Sequence, residues 1–69
     1  MGDVEKIAAL RIKLAQKREE HRDLDDAISA LESAAIQDAL QIQRLKRQKL
    51  SLKDEIKRIE DQLHPDIIA

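Results

Sequence analysis

Three groups of side chains in this sequence could do chemistry. They are the acids of "DLDD" (Asp23, Asp25, Asp26) and "KDEI" (Asp54, Glu55), the imidazoles of His21 and His64, and the basic run "RLKRQK" that begins at Arg44. Closely spaced carboxylates can divide acid and base roles when their surroundings push their pKa values apart. On exposed helix faces they have no pocket to desolvate them, and a two-helix protein encloses no substrate cavity. Neither enzymatic activity nor a cofactor is therefore expected. With two His and no Cys, no structural zinc site is expected and no disulfide can form, which fits a reducing compartment.

The basic run offers a different chemistry. Arg44, Lys46, Arg47 and Lys53 could contact phosphates from one helix. The formal net charge of -1, from 13 basic and 14 acidic residues, gives no global pull toward a polyanion. No aromatic side chain is present to stack on exposed bases. Charge runs on helices are mostly solvated faces, so nucleic acid ranks below a protein partner. A histidine at position 21 could make the fold pH-sensitive, but the preferred reading is a polar residue that fixes register within an apolar seam. His64, beside Pro65, is expected to interact with the last carbonyls of a helix.

The elements that must position these groups follow from the period. Hydrophobic residues make up 42% of the chain and charged residues 39%, a balance typical of long helices and coiled coils. Counting in sevens gives Ile7, Leu14, His21, Ile28, Ala35, Ile42, Lys49, Ile56 and Leu63. The positions three later are Leu10, Lys17, Leu24, Leu31, Asp38, Leu45, Leu52 and Ile59. Apolar residues at spacings of three and four define a heptad seam, interrupted by Lys17, His21, Ala35, Asp38 and Lys49. Asp3 is a candidate cap for a first helix over about 4–32. Pro65 ends a second helix near Leu63.

Between the two helical runs, "SAAIQDALQ" (33–41) contains neither Gly nor Pro, and its alanines would propagate a helix. Asp38 and Gln41 nevertheless form a D-x-x-Q pattern like a capping box. Folding the chain back sets Glu19, Glu20, Asp23, Asp25 and Asp26 against Arg44, Lys46, Arg47, Lys49 and Lys53, and sets Lys17 and Arg18 against Asp54 and Glu55. Antiparallel pairing is therefore favoured over parallel rods, which would stack Lys17 and Lys49 on their own copies. An antiparallel dimer of straight rods would make nearly the same contacts, as a domain-swapped form.

The stretches "HRDLDDAISALE" (21–32) and "LQIQRLKRQKLSLKDEIKRIEDQL" (40–63) carry a resemblance. With H-x-x-L-D-x-x-I from His21 to Ile28 and "RLKRQKLSLKDEI" from Arg44 to Ile56, the chain resembles the YdcH-like family of small bacterial proteins. The resemblance implies an all-α, antiparallel two-helix hairpin with a turn at about 33–37 and a second helix over about 38–63. A tail, 64–69, then completes a single domain over 1–69. No established biochemical activity comes with the resemblance.

Several large aliphatics fall off the seam: Ile12, Ile36, Leu40 and Leu50, with Ile67 and Ile68 in the tail "HPDIIA". Together they suggest a second buried face. Below roughly 80 residues a single core rarely supplies more than a few kcal/mol. The expected solution is a dimer or tetramer in which hairpins pack as a four-helix bundle and present helix faces to a protein partner of unknown identity. The tail would be a candidate docking peptide. No apolar run is long enough to span a bilayer, the start "MGDVEKIAAL" lacks signal-peptide features, and Lys6 stands where a myristoylation motif needs Ser or Thr. A cytoplasmic location is expected.

Overall fold

After Gly2 no residue of the first thirty-two breaks a helix, and α1 runs unbroken over Gly2–Glu32. The structure, a computed structural model, describes residues 2–63. Asp3 does not cap α1 from outside, as its position had suggested. It lies within the first turn together with Glu5, where negative charge is favoured by the helix dipole. The second helix, α2, spans Ala39–Leu63.

Ser33 to Asp38 reverse the chain between the helices, and no described residue has a positive φ. Side chains do the work that a C-terminal glycine often does. The Ser33 N–H and hydroxyl both donate to the Ser29 carbonyl, at 3.0 and 2.9 Å. Ala34 N–H reaches the Leu31 carbonyl at 3.3 Å, and the Gln37 amide donates to the Glu32 carbonyl at 2.7 Å. Across the turn, Asp38 caps α2. Its Oδ1 accepts the Gln41 N–H at 3.1 Å, and its carbonyl accepts the Ile42 N–H at 3.0 Å. The longest dimension is 53 Å, whereas a straight helix through all the described residues would extend about 93 Å at 1.5 Å per residue.

The two helices lie antiparallel along the heptad seam. Leu14 and Ile28 of α1 and Ile42, Leu52 and Ile59 of α2 are its buried side chains. Leu10, Leu24, Leu31, Leu45, Ile56 and Leu63 are half-buried, and Ile7 is exposed. Among the described residues none is fully buried, because two helices can cover each other along one line of contact only.

Candidate functional site

The polar interruptions of the seam are where the helices exchange charge. Lys17 Nζ lies 3.2 Å from Glu55 of α2 and 3.7 Å from Glu20 one turn on. The hydrogen bond to Glu55 and the charges of Glu20 and Glu55 raise the Lys17 pKa above its ordinary value, opposed in part by desolvation. Asp25 bridges the helices: one carboxylate oxygen takes Lys49 Nζ at 2.5 Å, and the other lies 3.5 Å from His21 Nδ1. The Lys49 hydrogen bond holds the Asp25 carboxyl below the ordinary carboxylate range, partly opposed by desolvation. His21 thus sits on the seam beside an acid.

Two further ion pairs cross the hairpin, Arg18 to Glu60 at 2.8 Å and Lys46 to Glu32 at 3.3 Å. Lys17 finds Glu55 as charge matching predicts, while Arg18 passes Asp54 and Glu55 to reach Glu60. Neighbouring helical residues point about 100° apart, so Lys17 and Arg18 cannot address the same acid. The side chains of Arg18, Glu60, Lys46 and Glu32 remain well exposed to solvent, and such pairs add little stability.

Of the acids that could do chemistry, Asp25 and Glu55 are held in these pairs, while Asp23, Asp26 and Asp54, exposed like Glu55, are in no ion pair among the described residues. Open grooves flank the helix contact among the described residues. One, of about 510 Å³, is lined by Lys17, Glu20, Leu24, Leu52 and Glu55 among others. Another, of about 640 Å³, is lined by His21, Leu50, Lys53, Ile56, Lys57 and Glu60 among others.

The off-seam aliphatics are exposed: Ile12 by 62%, Leu50 by 67%, Leu40 by 58% and Ile36 by 90%. They do not form one stripe. Ile12 stands two residues before buried Leu14, and Leu50 two before buried Leu52. Two helical steps turn about 200°, so each points away from the opposite helix. Ile36 belongs to the turn and Leu40 to the first turn of α2. Ile67, Ile68 and His64 lie outside the described residues.

The basic run also divides. Arg44 and Lys46, two residues apart, project from nearly opposite sides of α2, and Arg47 from a third. Lys46 and Lys53 share a side with Lys49 and Lys57, at spacings of three, seven and eleven from Lys46. Arg11, Arg18 and Arg22 of α1, spaced by seven and four, fall on the same side of the hairpin, tied there by the Arg18–Glu60 contact. Reading the cations as a linear run misses Lys57 and the three arginines. Helical spacing was the signal that could have found them.

A family model described as Protein of unknown function (DUF465) matches residues 14–60, more than half of the chain. The chain belongs to the DUF465 family. YdcH-like proteins are members, so the resemblance read from His21–Ile28 and Arg44–Ile56 holds. The DUF465 match covers the turn and most of both helices, and takes in the four cross-helix ion pairs found among the described residues. No curated protein and no solved structure matches the chain. The description of DUF465 assigns no activity.

Proposed function

We propose that this DUF465 member is a non-enzymatic, cytoplasmic helical-hairpin module that associates with itself, as a dimer or tetramer, and presents helix faces to a protein partner as an adaptor or structural element. One observation carries the reading: no side chain of the seam is fully buried among the described residues, while large aliphatics, Ile12 and Leu50, point to solvent on both helices. Burying such side chains is worth roughly 1.5 to 3 kcal/mol each, and a second copy can supply the cover. No helix among the described residues is long and apolar enough to cross a membrane. Replacing Leu50 by Glu should lower the association state in sedimentation velocity while most helical circular dichroism persists. Unchanged sedimentation would refute the role given to Leu50.

Nucleic-acid binding is the second reading. The alignment of Lys46, Lys49, Lys53 and Lys57 on one side with Arg11, Arg18 and Arg22 favours it. It requires a duplex mobility shift at low salt that weakens steeply as salt rises and as Lys46 and Lys53 are neutralised. The absence of any shift at low salt would end it.

A further inference from the structure

The two outward-pointing aliphatics sit in oppositely charged surroundings. On α2, the surface neighbours of Leu50 at three, four and seven residues are Gln43, Lys46, Arg47, Lys53, Asp54 and Lys57, four basic residues against one acid. On α1, the corresponding neighbours of Ile12 are Glu5, Ala8, Ala9, Ala15, Gln16 and Glu19, with no base among them. Asp23 and Asp26 continue that face at eleven and fourteen residues from Ile12. All four acids are exposed, and none has an ion-pair partner among the described residues. Lys53 and Lys57 have none there either.

Symmetry then decides how copies can meet. A two-fold contact on the Ile12 face would set acid on acid, and one on the Leu50 face would set base on base. Like-charge juxtaposition of this kind is costly. A head-to-tail contact satisfies both faces at once, since the small alanines around Ile12 allow close approach and its flanking acids meet the lysines around Leu50. We propose that the outer face of α1, centred on Ile12, docks on the Leu50–Lys53–Lys57 face of α2 in a second copy of this chain. A single such contact leaves one free face on each copy. Repeated, it generates a ring, of which a closed tetramer is one case, or an open array; the two faces point away from each other, so two copies cannot make the contact reciprocally as a two-fold dimer.

This inference rests on the reading that the chain self-associates, and the test separates the two. One variant carries Glu19→Lys and Asp26→Lys, the other Lys53→Glu and Lys57→Glu. Each is compared with the native chain by sedimentation equilibrium over a range of concentrations, with circular dichroism to verify helicity. Each variant alone now opposes like charges and should self-associate at least about tenfold more weakly than the native chain. An equimolar mixture restores opposite charges at every contact and should regain mass. Native-like association of both variants, or a mixture that gains nothing while both remain helical, overturns the head-to-tail contact but leaves self-association standing. A native chain that is monomeric throughout overturns both. If the variant carrying Lys53→Glu and Lys57→Glu keeps native mass but loses a low-salt duplex shift shown by the native chain, that face belongs to nucleic acid and the proposal fails.

Discussion

Replacing Ile28 by Ala tests whether the heptad seam is the core. Ile28 is only 5% exposed, and the change removes three carbon atoms from the contact between α1 and α2. At roughly 0.8 kcal/mol for each buried methylene-sized group, the transfer loss is about 2.4 kcal/mol. The cavity contribution should be small, because neighbours on a two-helix seam can close over the gap, so the total stays near the lower end of the range for core truncations, about 2 to 3 kcal/mol. That corresponds to roughly a hundredfold rise in the unfolding constant. Ile36→Ala is the matched control: the chemistry is identical, but the residue is 90% exposed, and the cost should stay within about 0.5 kcal/mol. With no Trp or Tyr in the chain, far-ultraviolet circular dichroism during urea titration, at one fixed protein concentration, is the suitable assay. Equal midpoint shifts for the two variants would refute the assignment of the core to this seam.

Asp38→Ala removes the acceptor for the Gln41 N–H and should cost about 1 kcal/mol in the same titration, whereas Asp38→Asn, which keeps an acceptor, should cost much less. Asp25 has its pKa lowered in the folded state. Its contribution is therefore present above the ordinary carboxylate range and is lost as pH falls below about 4 through the lowered value. Lys49→Met should flatten that acid limb of stability against pH, and an unchanged limb would count against the Asp25–Lys49 contact. Lys17 behaves in the opposite sense. With its pKa raised, its contribution is complete below about 10 and is lost as pH climbs through the raised value, so Glu55→Gln should blunt the alkaline loss of helicity.

The seam and the antiparallel sense of pairing could be read from the spacing of apolar and charged residues, whereas the choice of a turn at about 33–37 over a straight, domain-swapped rod came with the family resemblance. Heptad positions locate Leu14, Ile28, Ile42, Leu52 and Ile59 at the contact. The D-x-x-Q pattern at Asp38 has a local cause and shows itself in the Gln41 N–H bond. Other features depend on how the backbone closes. The reach of the Gln37 amide to the Glu32 carbonyl exists only once the turn has formed, so no pattern in "SAAIQDALQ" announces it. Glu32 lay outside the acids assigned to the basic run, yet it meets Lys46. The off-seam aliphatics stand out in the sequence as apolar residues away from the seam, but the opposite directions of Ile12 and Leu50 emerge only when each is measured against its buried neighbour. Grouping cations by adjacency rather than by turn of helix joined Arg44 to Lys46 and left out Lys57.

The reversal without glycine or proline also bears on mutational robustness. A bend that depends on one residue with a positive φ fails when that residue is replaced, because any side chain brings strain. Here the geometry is spread over Ser33, Gln37 and Asp38, each contributing a separate hydrogen bond worth about 1 kcal/mol or less at an exposed site. Loss of one leaves the other two, and the ion pairs farther along the helices, to keep the register. Sequence can drift through this turn in small, nearly independent steps, while the seam beneath it tolerates far less change.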